Sequence, residues 1–180
     1  MPWSGEAGGD LCIQCQLDPF AVAWTSAWGH YRSGLERLLH AFKFEHHEFL
    51  ADPLAELLAE ALIDQDFDVI VPVPMHRTKE RKRGYNQAEL LAKSLSRRLR
   101  VPCDPKLLVK TVERQTQSTL ARSERAGNVR NAFQASDAVA GRSVLLVDDI
   151  STTGETLRAC AAELVRASAQ RVCAVAIAKA

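Results

Sequence analysis

The chain has no run of about 18 or more apolar residues, so nothing in it reads as a membrane-spanning helix. It also lacks an excess of charge: 23 basic residues stand against 22 acidic ones, leaving a formal net charge of +1. That balance excludes bulk electrostatic recruitment to nucleic acid or a membrane surface, so any anion-binding region must be local. The start, MPWSGEAGGD, has neither the basic segment nor the apolar stretch of a secretory leader, and a cytoplasmic location is the expectation. Cysteine is sparse, and its odd count of five argues against a disulfide framework. Cys103, Cys160 and Cys173 lie in or beside apolar segments, where a free thiol packs as a small hydrophobe. Repeats and low-complexity tracts are absent, which leaves hydrophobic period as the guide to organisation. What is present is 180 residues, 47% of them hydrophobic, enough to bury one full core with room for a small appendage.

Leu35, Leu38, Leu39 and Phe42 recur at helical spacing, as do Leu54, Leu57, Leu58, Ala61 and Leu62 after Pro53, so two amphipathic helices are predicted. Asp68-Val-Ile-Val-Pro72 reads as a short buried strand that stops at prolines, and Ala88, Leu91, Ala92, Leu95 and Leu99 make the next helical stripe. After the apolar patch from Leu107 to Val109, the polar stretch from Lys110 to Arg130 lacks a strong period and reads as a long functional loop with a helical turn. Ser143-Val-Leu-Leu-Val147 is a continuous apolar run between Gly141 and two aspartates, as suits a parallel strand covered on both faces. A helix from about Gly154 to Ala167 and a strand from Val172 to Ala178 complete a β-α-β unit with a right-handed crossover. The predicted class is α/β with a mainly parallel central sheet flanked by helices.

Chemistry concentrates where that strand ends. In Asp148-Asp-Ile-Ser-Thr-Thr-Gly-Glu-Thr156, two carboxylates precede a hydroxyl-rich turn that opens a helix. Ligands of open α/β sheets sit beyond the carboxyl ends of the strands, and a helix start offers unpaired N–H groups and a positive dipole end to a phosphate. Gly154 lets backbone approach an anion, and Thr153 and Thr156 can donate to its oxygens. Adjacent carboxylates at a strand end need a cation or hydroxyl donors, and vicinal sugar hydroxyls with Mg²⁺ provide both. A helix cap alone would need one Ser, Thr or Asp, whereas this segment has six within nine positions. Upstream, Val71-Pro-Val-Pro74 leads into a loop with five Lys or Arg between Arg77 and Arg83, a composition that suits a diphosphate as well as a solvated charged loop. The prolines there can stiffen the loop or admit an unusual peptide geometry.

The segment from Val144 to Thr156 resembles the phosphoribosyl-diphosphate signature of type I phosphoribosyltransferases. Pro72-Val-Pro74, Arg77, Arg81 and Arg83-Gly-Tyr-Asn-Gln87 resemble the signature of the ComF/GntX group of phosphoribosyltransferase-like proteins. Gln117, Leu120, Arg122, Arg125, Asn128-Val129 and Ala132-Phe133 are similar to a second block of that group, and Lys43-Phe44 to a shorter element near its first helix. The similarity runs from about residue 12 to the C-terminus.

The resemblance implies a type I phosphoribosyltransferase-like fold and Mg²⁺-dependent binding of phosphoribosyl diphosphate. Asp148 and Asp149 would serve the ribose and Mg²⁺. The turn Ser151, Thr152, Thr153, Gly154, Glu155 and Thr156 would cradle the 5′-phosphate, with Val73, Pro74 and Arg77 beside it. If catalysis is retained, Arg81 and Arg83 would stabilise the leaving diphosphate and an unknown acceptor would take the phosphoribosyl group. Thr152 holds a place where some transferases carry an acid that acts as base. For the ComF branch the resemblance implies a role in natural transformation, with single-stranded DNA and other competence proteins as partners, at the inner face of the membrane through those partners. Arg122 and Arg125, on the loop corresponding to the mobile lid of transferases, are the candidate DNA contacts. No helix-turn-helix signature accompanies the domain, which argues against a transcriptional regulator.

Residues 1–15, with Cys12-x-x-Cys15, read as an N-terminal segment holding half of a tetrahedral zinc site. Relatives in the group usually carry two such pairs, so a vestigial pair is the better reading and Zn²⁺ would have to borrow from His30, His40, His46, His47 or a second subunit. Residues 16–180 form the phosphoribosyltransferase-like domain, with a hood over about 16–50 that the resemblance makes the acceptor side.

Overall fold

The computed structural model describes residues 24–60, 62, 66–111 and 132–180. In chain order these form β1 (Trp24–His30), α1 (Ser33–Phe44), α2 (Ala51–Glu60), β2 (Val69–Pro72), α3 (Arg77–Arg83), α4 (Gln87–Leu99), β3 (Leu108–Lys110), β4 (Phe133–Ala135), β5 (Ser143–Ser151), α5 (Glu155–Arg166) and β6 (Arg171–Lys179). The main sheet has the order β1-β6-β5-β2 and every pairing in it is parallel. β3 and β4 make a separate antiparallel pair.

The apolar run of β5 is uninterrupted because helices cover both faces of the sheet. Leu145 and Val147 pack with Ile70 against Leu39 and Phe42 of α1, Leu54 and Leu58 of α2, and Leu91 and Leu95 of α4. Val144 and Leu146 face the other way with Val69 and Val71, against Leu157, Cys160, Ala161 and Leu164 of α5. The strand therefore sits in the middle of a three-layer stack, with β2 on one flank and β6 on the other. The predicted β-α-β unit is present: β5 runs four residues past the apolar run, through both aspartates to Ser151, α5 starts at Glu155, because Gly154 is its N-cap, and β6 gains Arg171 and Lys179. Asp68 stands just outside β2, where its carboxylate accepts from Ser143 N at 2.7 Å and fixes the start of β5.

The elements that depart from the sequence reading include the short β3–β4 pair, α3 and β1. The basic stretch after Pro74, expected to be a loop, contains the seven-residue α3. None of its residues is buried, so it shows no apolar stripe; it is set by its ends, with His76 Nδ1 accepting from Thr78 N and Gly84 at φ 92° closing it. β1 was also not predicted. It is an edge strand paired only with β6, from Trp24 opposite Cys173 to His30 opposite Lys179, and it brings part of the segment assigned to the hood into the main sheet. Trp28 on this strand donates from Nε1 to Glu60 Oε2 at 3.2 Å. All described peptide bonds are trans, so the prolines before α3 act by stiffening the backbone.

Cys160 and Cys173 are buried free thiols and Cys103 is a partly buried one. Burial raises the pKa of all three, that of Cys103 to about 11, so they pack as apolar groups. Among the described residues no helix is long and apolar enough to cross a membrane.

Because Leu146 is fully buried between the central strand and α5, Leu146→Ala should lower unfolding free energy by about 2–5 kcal/mol. Urea denaturation of the two proteins checks this, and a loss under about 1 kcal/mol would mean that α5 does not seal that face.

Candidate functional site

At the carboxyl end of β5 the apolar run gives way to Asp148 and Asp149. Strand alternation sends them to opposite faces. Asp148 lies on the α5 side, where its charge acts on Cys160, and Asp149 meets Lys43 at the end of α1. The Lys43 ammonium is 2.9 Å from Asp149 Oδ2. The aspartates are also linked through the backbone: Asp149 N donates to Asp148 Oδ1 at 2.8 Å, and Ile150 N to Asp149 Oδ1 at 2.7 Å. Burial first, and then the negative charge of Asp149, hold the Asp148 carboxyl well above the ordinary carboxylate range. The Asp149 N–H and the Lys43 charge pull it down without cancelling that effect.

The turn after the acids wraps a small cleft lined by Asp148 and by the run from Ile150 to Leu157. Gly154 has φ 77°, a left-handed conformation that strains any residue with a Cβ, and it delivers the chain into α5. Thr152, Thr153 and Thr156 are exposed, whereas Ser151 is buried and its carbonyl accepts from Ala180 N at 3.0 Å. The Lys179 ammonium donates to the Thr152 carbonyl, so the last strand braces the turn from below. Thr153 Oγ1 accepts a long bond, 3.4 Å, from Glu155 N. That weak contact is one an anion could replace, since the first-turn N–H groups and the dipole of the 12-residue α5 face the same way. The Glu155 carboxylate itself is exposed and would repel a phosphate, so its use there is through its backbone.

The opposite wall comes from β2. Val73 N donates to the Val147 carbonyl at 2.8 Å, which seats Val73 beside the first aspartate, and Asn86 Nδ2 holds the Val73 carbonyl at 3.0 Å. Asn86 also caps α4, its Oδ1 accepting from Ala88 N at 3.1 Å. Arg77, Lys79, Arg81 and Lys82 of α3 are exposed next to this wall. Arg83 differs: its Nη1 donates to Gln87 Oε1 at 2.9 Å and its guanidinium lies 5.0 Å over the Phe44 ring. Tyr85 donates its hydroxyl to the Phe42 carbonyl at 2.5 Å. Arg83-Gly-Tyr-Asn-Gln87 is thus largely a clamp that ties α1, α4 and β2 together.

The structure therefore brings together Asp148, Asp149, Val73 and the turn from Ser151 to Thr156, and places Arg77 and Arg81 on a neighbouring exposed helix. Lys43 is the site residue whose position in the sequence gave no hint of a partner on β5. Arg122, Arg125, Cys12 and Cys15 lie outside the described residues. Among the described ones no cluster of three or more His, Cys, Asp or Glu could hold a metal. His40 and His47 reach Glu45 instead, at 3.4 and 4.0 Å. Two carboxylates, one already paired with Lys43, make a partial ligand set; they fit Mg²⁺ of the kind that shares one or two carboxylates with substrate phosphates.

Asp148→Asn keeps an acceptor for Asp149 N and removes an unfavourable charge. The raised pKa lets the folded protein hold a proton that the unfolded chain has already released, so native stability falls as pH rises from about 4 through that window. The variant should melt about 2–4 °C higher near neutral pH, with the gain shrinking as pH falls toward 4. Calorimetric melting against pH checks this; a gain that does not depend on pH would contradict it.

The sequence profile described as "Phosphoribosyl transferase domain" matches residues 45–180. A protein named "Competence protein F" from Haemophilus influenzae is 33% identical over 172 residues, covering 87% of this chain and 75% of its own. "DNA utilization protein YhgH" from Escherichia coli K12 is 34% identical over 168 residues, with coverage of 89% and 74%. Among solved structures, a glutamine phosphoribosylpyrophosphate amidotransferase from B. subtilis superposes with a TM-score of 0.55 at 17% identity over 76% of this chain, which amounts to 30% of that larger chain. That likeness shows the type I phosphoribosyltransferase fold, in agreement with the parallel sheet and its two helical layers. The chain belongs to the phosphoribosyl transferase domain family and, within it, to the ComF group of phosphoribosyltransferase-like competence proteins.

Proposed function

We propose that this protein binds phosphoribosyl diphosphate together with Mg²⁺ at the carboxyl end of β5 and serves in handling single-stranded DNA during natural transformation. The observation that carries the first half is the acid pair followed at once by a glycine-hinged turn into α5, at the edge where parallel sheets take their ligands. In this reading the amides and hydroxyls of the turn hold the 5′-phosphate, with Thr153 and Thr156 as side-chain donors. Asp149 and Asp148 accept from the ribose hydroxyls, and Val73 and Pro74 shape the wall along which the diphosphate runs toward Arg77 and Arg81. Bound Mg²⁺ would neutralise diphosphate charge. The second half is supported by the relatives named for competence and DNA utilization. A cytoplasmic setting, reached at the inner membrane face through competence partners, goes with it.

A second reading, transfer of the phosphoribosyl group to an acceptor, is favoured by the exposed cations of α3 beside the β2 wall. Arg77 and Arg81 would stabilise the departing diphosphate while positive charge develops at C1 of the ribose, held by the two aspartates. Thr152 is a neutral hydroxyl at physiological pH, so a base for the acceptor would have to come from elsewhere.

Calorimetric titration of phosphoribosyl diphosphate with Mg²⁺ should give saturable binding, and the Asp148→Asn/Asp149→Asn double variant should lose at least about tenfold in affinity. A folded wild type that binds none would overturn the reading. Pyrophosphate appearing in the same samples when bases, amines or single-stranded DNA are added would mark a transferase; its absence with every acceptor would leave a binding protein.

A further inference from the structure

Lys43 commits its charge to Asp149 and is among the best-anchored groups at the site. Its ammonium lies 2.9 Å from Asp149 Oδ2, and the two side chains are only 19% and 12% exposed. Its neighbours on both sides are tied down. The Tyr85 hydroxyl holds the Phe42 carbonyl at 2.5 Å, and the Arg83 guanidinium rests on the Phe44 ring. Residues 83–85, which close the basic helix, thereby hold the last turn of α1 where its lysine reaches across to β5. A lysine alone would sweep a wide volume on its flexible stem; this one is aimed.

The charge count gives the contact a consequence. With both carboxylates ionised the pair would carry −2, and Lys43 lowers that to −1 before any ligand arrives. No third acid or histidine joins them to form a metal cage among the described residues. A divalent cation approaching the empty site meets an acid pair whose more buried partner, Asp149, is already neutralised, and it must find its remaining oxygens elsewhere.

We propose that Lys43 sets the metal demand of this site: as the resident counter-ion of the acid pair it keeps a divalent cation from binding alone, so that the metal enters only with a diphosphate that brings its own oxygens. The suppression of lone metal binding stands on the Lys43–Asp149 contact, while the diphosphate half rests on the proposed function. Lys43 is then a specificity-determining residue, and Tyr85 and Arg83 position it.

Mn²⁺ titrated without any diphosphate, with the free ion followed by electron paramagnetic resonance, tests this on the whole chain. Wild type and Lys43→Arg should both bind Mn²⁺ weakly, because each keeps a cation on Asp149. Lys43→Met and Lys43→Gln, each checked by melting, should bind one Mn²⁺ at least about tenfold more tightly. A merely structural ion pair would lower the melting temperature of the neutral variants and leave Mn²⁺ affinity where it was, which would overturn the proposal. Tight Mn²⁺ binding by the wild type would overturn it without any variant. Failure of phosphoribosyl diphosphate to bind, alongside a Mn²⁺ gain in the neutral variants, would reject the sugar diphosphate and leave the role of Lys43 intact.

Discussion

A strand buried on both faces can carry no charge along its length, so β5 stays apolar from Val144 to Val147 and its first charged side chains emerge only where the helical layers part. Everything at the site follows from that constraint. The acids lie toward the carboxyl end of the strand because they could not be tolerated further in. The pair is still deep enough for burial to raise the Asp148 pKa, and Asp149 is held by Lys43. Such a site is unfavourable for the empty protein, and under the proposed function ligand donors would relieve it.

The second organising feature is the clamp made by Arg83, Tyr85 and Asn86. Through Asn86 it fastens the β2 wall to the start of α4, and through Tyr85 and Arg83 it fastens the end of α1. Residues that look in sequence like an extension of a basic binding loop thus spend their hydrogen bonds on other parts of the fold. Among the described residues, the other cations of α3, Arg77, Lys79, Arg81 and Lys82, are exposed and the helix that carries them is set only by its caps. Charge near the β2 wall is therefore adaptable, while the aspartates are held by backbone and Lys43 contacts.

What could be read from the sequence depended on distance and burial. β5, α5 and β6 were legible because each carries its own apolar period and they follow one another in the chain. The turn at Gly154 was legible because its chemistry is local. β1 was not: Thr25, Ser26 and Gly29 blur the strand pattern, and what makes the segment a strand is β6, at the other end of the chain. α3 was missed because it buries nothing, and a helix held by its caps leaves no periodic trace. Lys43 was visible only as part of a family-like element, since its contact with Asp149 exists only after α1 and β5 pack.

In the proposed function the turn after β5 is where a phosphorylated sugar is held. Nitrogen-resolved NMR of the labelled protein, with and without phosphoribosyl diphosphate and Mg²⁺, tests it at the atoms concerned. The largest amide shifts should fall on Ser151 to Thr156, with smaller ones at Asp149 and Val73. Shifts confined to α3 and the segment around Phe44, with the turn unmoved, would contradict it.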